Sequence, residues 1–527
     1  MTKIIKQNYK SILIFSILFF LSLLIRLYHL KDYQPHLNWD EVSLGYNTYS
    51  ILQTGKDEWG IKLPLLFRAY GDFKLPLYIY FSLIPVSLGL NPISIKIVSL
   101  ISGSIAPLII YKIINKYTKK KSIAFILSII YSFTPWSIFL SRIALEANLF
   151  LTLFLASLYF LLNKKFTPSL IFFSLCLFTY NSSRVLYPFY FFTILIYFLK
   201  QKTLFKKNFL GLLIFSVASF FLVNQSLASS GQARFKWVSL IDEGAINQIN
   251  QLRQTYPRFI VNKLTFFITK ASQNYLSHFN PNFLFVNGGS HYQFNIPNFY
   301  LIPPILAPFL LIGIFYLIKH KQCLLLLCFF VSPLPSSITR DAPHTLRSIV
   351  FISLATLISL IGLYYFLCFF KKLTTPLIIV LLIIITTNQV NFWNRYKTYT
   401  IQYSQSWQYG YQQIVDYVKK NYDNYQHIYI TKRYGEPHEF MLFYWPWSPI
   451  NYQNDPNKIT DYHSDWYWID KFDKFTFIND WEMNKTPIPE STLVVSSPDN
   501  LPTQATKPVE TINFLDQSPA FYVFSYL

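Results

Sequence analysis

The chain has 527 residues, of which 52% are hydrophobic, 19% aromatic and only 13% charged, and its formal net charge is +21. Soluble globular proteins have about a quarter of their residues charged, so this composition excludes an ordinary soluble protein and favours a protein whose solvent is lipid. The positive charge does not indicate nucleic-acid binding. The basic residues stand in short clusters between apolar runs, as the orientation signals of membrane helices do.

The N-terminal segment predicts an uncleaved first membrane helix. Lys3, Lys6 and Lys10 precede an apolar stretch over Ser11–Leu30 that is long enough to span a bilayer, and no small-residue cleavage site follows it. The positive-inside rule places the N-terminus in the cytoplasm. The same rule places there the later basic clusters, at 112–121, 164–165, 200–207, 319–321 and 371–372.

The segment Pro76–Leu90 fixes the remaining topology. It has fifteen residues, too few for a span of about 20, and if it crossed the bilayer the cluster that ends at Lys121 would lie outside. We therefore predict a helix at the outer surface here, amphipathic or re-entrant. The chain then has about eleven spans and an outer C-terminus. The predicted spans are Ser11–Leu30, Ile93–Ile114, Ser122–Leu140, Ala147–Leu162, Phe166–Tyr180, Val185–Leu199, Phe209–Val223, Asn298–Ile318, Cys323–Pro335, Ser348–Phe370 and Thr374–Gln389.

Composition predicts two domains. Residues 1–390 read as an all-α polytopic membrane domain, whose long first outer loop carries juxtamembrane helices at 31–91. Residues 391–527, rich in Tyr, Trp, Asp and Asn and without a spanning run, predict a small extracytoplasmic α/β domain. Its predicted elements are a helix at Gln405–Lys420 and strands at His427–Thr431, Phe475–Ile478 and Thr492–Ser496. The four cysteines all lie in apolar runs, which favours neither a disulfide framework nor a zinc site.

Adjacent carboxylates at Asp40 and Glu41 are the first candidate catalytic group. They follow Trp39 in the first outer loop, and an acid among apolar neighbours is suited to act as a general base. The alternative is structural: Asp40 could cap a helix that runs through Tyr46 to Leu52.

Lys74 is the second candidate. It precedes the surface helix, where the phosphate of a membrane-embedded lipid would lie, and its ammonium is a mobile point charge. The alternative is an interfacial lysine whose side chain snorkels to the polar surface.

Arg142 and Glu146 are the third candidate, at the outer end of two predicted spans. They are four residues apart, so one helical turn would place them together as an ion pair. An arginine held by a carboxylate can bind phosphate through two hydrogen bonds, and a purely structural pair is the alternative.

A short outer turn from Arg340 to Arg347 is the fourth candidate. It brings two arginines, Asp341 and His344 into eight positions between two spans. Such a density of ionisable groups at a membrane rim suits phosphate or sugar-hydroxyl binding, and a flexible polar turn is the alternative.

Several chemistries have no support in the sequence. It contains no P-loop, no G-x-G-x-x-G run and no zincin or inverzincin motif, so nothing indicates a nucleotide-driven enzyme or a metalloprotease.

The order and common sidedness of these motifs resemble one known class. An Asp-Glu pair in a long first outer loop, a lysine before a juxtamembrane helix and an Arg…acid turn after the third span resemble the GT-C glycosyltransferases. Within that class the chain looks most like protein O-mannosyltransferases and lipid A aminoarabinose transferases. The resemblance covers roughly residues 10–370 and implies a GT-C-like fold.

The resemblance implies a sugar donor carried on a polyprenyl phosphate and an acceptor protein, lipid or glycan. Asp40, with Glu41 beside it, would be the catalytic base, and Lys74, Arg142 and Arg347 would hold the donor phosphate. Glu146, Asp341 and His344 would support them. One displacement implies an inverting hexosyl- or pentosyltransferase of the cell envelope, in the plasma membrane with an extracytoplasmic site. No residue is assigned to a metal, and a divalent metal is left open as a cofactor.

Two other functions compete with transfer. A polyprenyl-linked glycan polymerase or ligase would work at the same face, and the first-loop acids favour the transferase over it. A lipid-linked sugar flippase or transporter would need ionisable residues near the middle of the bilayer. The predicted spans from Ile93 to Gln389 hold almost no central charge, which favours catalysis at the membrane rim.

Overall fold

A computed structural model of the chain describes residues 2–34, 36–228, 237–463, 466–503, 505 and 507–527. The described residues are mostly helical. In chain order the α-helices are α1 (Thr2–Leu27), α2 (Trp39–Thr54), α3 (Leu77–Val86), α4 (Pro92–Thr118), α5 (Lys121–Ser132), α6 (Pro135–Ser141), α7 (Glu146–Leu162), α8 (Phe166–Leu177), α9 (Ser182–Lys200), α10 (Thr203–Lys207), α11 (Phe209–Leu227), α12 (Glu243–Leu252), α13 (Lys263–Ser277), α14 (Ala307–Lys319), α15 (Cys323–Val331), α16 (Leu334–Ser337), α17 (Ile349–Phe369), α18 (Thr374–Gln402), α19 (Tyr411–Asn421), α20 (Pro437–Tyr444) and α21 (Pro449–Gln453).

The strands form two sheets. A small hairpin pairs β1 (Phe67–Arg68) with β2 (Phe73–Lys74) in antiparallel fashion. The larger sheet has the order β4-β5-β6-β3-β7-β9-β8, in which β3 runs parallel to both β6 and β7 and the other pairs are antiparallel. Its strands are β3 (His427–Thr431), β4 (Ile459–His463), β5 (Trp466–Phe472), β6 (Phe475–Ile478), β7 (Thr492–Ser496), β8 (Glu510–Asn513) and β9 (Pro519–Tyr526). The three strands predicted from sequence are confirmed with their bounds.

Among the described residues, five helices are long and apolar enough to cross a membrane, and six if the bent pair α5–α6 is one span. Several further predicted spans are shorter apolar helices, including α7, α8, α14 and α15. The apolar helices indicate an integral membrane protein. The larger number of spans and the orientation stay predictions.

Prolines account for two differences from the predicted spans. The predicted span Ser122–Leu140 is broken at Pro135 and bends by 59° between α5 and α6, because proline lacks the amide donor that would continue the first helix. The predicted span from Asn298 is also wrong at its start. The α-helix begins only at Ala307, after consecutive prolines at 303 and 304 and a 3₁₀ turn.

Helix α18 extends past the predicted end of the last span, Gln389, to Gln402. The apolar pattern stops near Gln389, but the residues that follow include no proline or glycine and keep the helical hydrogen bonds. The segment Pro76–Leu90 contains a helix, α3, which starts directly after Pro76, and its place at the outer surface stays a prediction. The predicted helix Gln405–Lys420 is confirmed in its second half, as α19.

The chain separates into two compact units, residues 1–28 with 99–393 and residues 29–98 with 394–527. In the first unit, α14 and α17 pack backbone to backbone at two glycines. A Cβ on Gly313 would lie 2.1 Å from the carbonyl oxygen of Ile358, and one on Gly362 would lie 1.9 Å from that of Phe309. This is the small-residue packing by which apolar helices approach each other closely in lipid. The sequence-based division at residue 390 stays a prediction.

The second unit has its core on the larger sheet. Every residue of β7 is buried, and Val494 packs with Ile478, Met483 and Phe524. β3 has a parallel, hydrogen-bonded neighbour on each edge. Burial alternates over His427–Ile430 because successive side chains of a strand point to opposite faces of the sheet. Residues 29–98, which include α2 and α3, belong to this unit.

Candidate active site

The start of α2 presents Asp40 through a capping box. Asn38 is the N-cap: its side chain accepts a hydrogen bond from the amide of Glu41 at 3.0 Å, and the Glu41 carboxylate accepts one from the amide of Asn38 at 3.1 Å. Asp40 therefore does not cap the helix, and that alternative is wrong. Glu41 is 1% exposed and its carboxylate is engaged in the cap. Asp40 lies in the first turn, where the helix dipole favours a carboxylate.

Asp40 and Lys74 come together in the structure. Lys74 Nζ donates a hydrogen bond to Asp40 Oδ1 at 2.6 Å. The β1–β2 hairpin, in which Phe67 pairs with Lys74, holds the lysine in place. The side chain of Lys74 is 13% exposed and that of Asp40 is 28% exposed. The carboxylate is thus partly accessible to solvent, while its cation is mostly enclosed.

Aromatic residues surround this pair. The Tyr70 ring stacks on Trp466 with centroids 5.4 Å apart, and both rings contact Trp39 edge to face. The Tyr70 hydroxyl donates to the carbonyl oxygen of Trp39 at 3.0 Å. Gly435 lies against the Trp39 ring, with a positive φ of 114°. These contacts fix the residue that precedes Asp40, so the position of the acid depends on the tail as well as on the loop.

Arg142 and Glu146 lie in the other unit and do not share a helix. Arg142 follows the last residue of α6, whereas Glu146 begins α7, so the single helical turn predicted for the two is wrong. Residues 142–145 interrupt the helix between them. Arg142 Nη1 donates to the carbonyl oxygens of Arg26 and Tyr28 at 2.9 and 2.6 Å, and its guanidinium lies 5.3 Å from the Trp393 ring centre. Arg142 therefore binds the carboxyl end of α1, where carbonyl oxygens lack helical partners.

The turn before α17 gathers the remaining candidates. Arg347 Nη1 donates to Thr339 Oγ1 at 2.8 Å and lies 3.4 Å from Asp341 Oδ2. His344 is 2% exposed, and its amide donates to Ser336 Oγ at 3.0 Å. Asp341 is half exposed. This turn also belongs to the first unit, so the predicted residues fall into a pair, Asp40 with Lys74, and a group on the membrane unit.

Sequence reasoning missed a second group of ionisable residues in the unit that holds Asp40. Glu58, His438 and Glu439 are each buried, and ligand atoms of all three lie within 4.8 Å of one another. Burial raises the pKa of Glu58 and of Glu439, because each carboxylate loses its hydration. The neighbouring acid adds to this effect, Asp57 for Glu58 and Glu58 for Glu439. A signal was available in the tail, where Glu436, His438 and Glu439 stand within four positions. Glu58 carried a signal as well, because it follows Asp57 as a second pair of adjacent carboxylates in the predicted first outer loop.

Solved structures similar to this chain share little sequence with it. ArnT from Cupriavidus metallidurans bound to undecaprenyl phosphate has a TM-score of 0.48 and 10% identity, covering 96% of this chain and 97% of that one. The archaeal oligosaccharyltransferase AglB from Archaeoglobus fulgidus, in complex with an inhibitory peptide and a dolichol-phosphate, has a TM-score of 0.48 and 11% identity over 83% of this chain and 63% of its own.

The oligosaccharyltransferase from the same organism, tethered to an acceptor peptide, has a TM-score of 0.49 and 11% identity over 82% of this chain and 63% of its own. Both kinds of neighbour are GT-C glycosyltransferases, the class that the sequence motifs resemble. No family model matches the sequence, and no curated protein is similar to it.

Proposed function

We propose that this chain is a glycosyltransferase of the plasma membrane that moves a sugar from a polyprenyl phosphate to an acceptor hydroxyl on the extracytoplasmic side. The observation that carries the proposal is the contact between Asp40 and Lys74. An acid that is partly open to solvent is held 2.6 Å from an enclosed ammonium, in the first outer loop of a chain rich in apolar helices. Sugar transfer from a lipid phosphate uses a proton acceptor for the incoming hydroxyl and a cation for the departing phosphate, and in an inverting displacement the two act on opposite faces of the sugar ring.

The two residues divide the chemistry between them. Asp40 takes the proton of the acceptor hydroxyl as that oxygen forms a bond to the anomeric carbon. The bond from that carbon to the phosphate oxygen breaks in the same displacement, with inversion, and the lipid phosphate leaves with the bonding electrons. Lys74 releases Asp40 and neutralises the charge that grows on the departing phosphate. The leaving group is already activated, so the step needs no nucleotide.

Arg142 and Arg347 are proposed as further donor-phosphate ligands. Arg347 contacts both a hydroxyl and a half-exposed carboxylate, Asp341, and a phosphate can replace such an exposed partner at small cost. Arg142 is fully buried and binds backbone carbonyls, so its contribution would be to hold the end of α1 as well as to supply charge. Glu146 and His344 are proposed to support these arginines. The capping role of Glu41 makes it a positioning residue for Asp40.

The test is transfer by the purified full-length protein from radiolabelled polyprenyl-phosphate sugars. We expect label to leave the donor and to appear in an acceptor, and Asp40→Asn to abolish this while the protein stays folded. Normal turnover by Asp40→Asn would contradict the assignment of the base. Asp499→Asn is the matched control, because Asp499 also forms an ion pair, with Arg433 at 2.7 Å in the same unit, but on an exposed surface.

A charge exchange separates chemistry from stability. The double variant Asp40→Lys with Lys74→Asp restores an ion pair of the same composition, but it leaves an ammonium where the proton acceptor must be. We expect it to melt closer to the wild type than either single variant does and to remain inactive. Recovery of transfer would contradict the proposal. Movement of intact donor across a bilayer without transfer would instead support a flippase, and a labelled product of many repeats would support a polymerase.

A further inference from the structure

The buried group Glu58, His438 and Glu439 lies apart from the proposed transfer chemistry. Glu58 belongs to the turn after α2, and His438 and Glu439 stand in the first turn of α20. Their exposed fractions are 2%, 2% and 1%. Ionisable side chains are rarely enclosed to this degree unless they are paired or bind a metal, so the group requires an explanation.

One carboxylate oxygen of each acid lacks a hydrogen-bond partner within the described part of the chain. These oxygens are Glu58 Oε2 and Glu439 Oε2. No lysine or arginine forms an ion pair with these two acids among the described salt bridges. Lys458 acts on Glu58 electrostatically, but among the described salt bridges it is not at ion-pair distance from either acid. Two enclosed acids without a cation in contact destabilise the fold, and a bound cation would remove both their repulsion and the unmet hydrogen-bonding capacity of their oxygens.

Surrounding residues orient the group as the partners of metal ligands do. Asn47 Nδ2 donates to Glu58 Oε1 at 2.7 Å, and the Tyr70 hydroxyl donates to Glu439 Oε1 at 3.4 Å. His438 Nε2 is 3.8 Å from Glu439 Oε1, while Nδ1 is 3.4 Å from Glu436 Oε2 on the opposite side of the ring. A histidine with one nitrogen toward the acids and the other toward a separate carboxylate has the arrangement that fixes ligand histidines in metal sites.

We propose that Glu58, His438 and Glu439 bind one divalent cation of the zinc type, with water as the remaining ligand. One imidazole and two carboxylates are a ligand set that zinc takes, and the two acids balance its charge. Zinc lies about 2.0–2.2 Å from such ligands, which puts the ligand atoms roughly 3–4 Å apart. Ligand atoms already within 4.8 Å reach that spacing by side-chain rotation.

The role of this ion is structural. The ion links the segment after α2 to α20 within one unit. The Tyr70 hydroxyl contacts both Glu439 and the carbonyl oxygen of Trp39, so it connects the site to the start of α2, which carries Asp40. The site is independent of the proposed sugar transfer and stands or fails without it. The competing explanation is a proton shared between Glu58 and Glu439, which their raised pKa values favour in the absence of an ion.

Zinc content of the full-length protein distinguishes the two. The protein, purified in detergent, is stripped with a chelator, loaded with Zn²⁺, desalted and analysed by mass spectrometry of the metal. We expect one zinc per chain in the wild type and at least a tenfold loss in Glu58→Gln and in His438→Gln. His427→Gln is the matched control: it removes a histidine at the start of β3, in the same unit, and should keep one zinc per chain. Zinc should raise the melting temperature of the wild type and of the control only.

Three outcomes would overturn the proposal: less than a tenth of a zinc per chain after loading, unchanged zinc in Glu58→Gln and His438→Gln, or no shift of melting temperature. A shared proton predicts the first and third of these. If the variants fail to fold, X-ray absorption of the zinc-loaded wild type decides. A first shell of nitrogen and oxygen atoms around zinc, with one imidazole, would support the site. A shell that contains sulfur, or that contains no imidazole, would overturn it.

Discussion

Gly435 offers a stringent test of how the tail positions Asp40. Its φ is +114°, and a Cβ built on it would lie 1.9 and 2.2 Å from Cε3 and Cζ3 of Trp39, the residue before Asp40. A ring held among Tyr70 and Trp466 cannot move away as the end of a flexible side chain could. Gly435→Ala should therefore displace Trp39 and the turn that carries the acid.

The magnitude has two parts. A side chain at positive φ costs about 1–3 kcal/mol, and forcing a methyl group into a filled site costs about 1–3 kcal/mol more. Gly55→Ala isolates the first part, because Gly55 has φ +70° at the end of α2 and a Cβ there would meet nothing within 4 Å. The difference between the two variants should be about 1–3 kcal/mol. For a domain of 150–250 residues this corresponds to roughly 2–12 °C in melting temperature.

The assay is thermal melting of the purified protein in detergent, with transfer activity measured on the same samples. Gly435→Ala should melt below Gly55→Ala and lose activity, whereas Gly55→Ala should remain active. Shortening Trp39 to Leu in the Gly435→Ala background should recover part of the lost stability, since the clash is with the ring. Equal melting of the two alanine variants, or no recovery in the double variant, would refute the reasoning.

Three further predictions address the cap, a buried histidine and the helix crossing. Glu41→Gln should keep the capping box, and its melting temperature and transfer activity should be close to those of the wild type. Glu41→Ala should lower the free energy of unfolding by about 1 kcal/mol. A Glu41→Gln variant that is stable but inactive would instead indicate a chemical role for Glu41. Burial lowers the pKa of His36 to about 3, so the folded state holds this ring in its neutral form. The free energy of unfolding therefore decreases as the pH falls below about 6.5, where the ring is protonated in the unfolded chain. The free energy of unfolding of the wild type should fall by about 2 kcal/mol between pH 7 and pH 5, measured by melting at each pH. In His36→Phe this change with pH should be much smaller. Gly362→Ala should destabilise the membrane unit by about 1–3 kcal/mol or more, because the new methyl would meet the Phe309 backbone, and an unchanged melting temperature would contradict the described crossing.

Much of the local structure was readable from the sequence, since it depends on neighbours along the chain. Apolar runs located most of the long helices, and alternation located β3, β6 and β7 with their bounds. Hydropathy placed the start of α14 wrongly because it does not register the missing donors of consecutive prolines. Asp40 and Lys74 were both predicted as site residues from their positions in the segment after the first predicted span, and the family resemblance was drawn afterwards.

The contacts between distant residues were decided by the tertiary structure. Asn38 rather than Asp40 caps α2, Arg142 binds the end of α1 rather than completing a turn with Glu146, and Glu58 meets His438 across 380 positions of sequence. Periodicity and propensity report which face of an element is apolar, over a few turns. They carry no information on which two faces meet, because that is set by packing and burial summed over the whole folded unit.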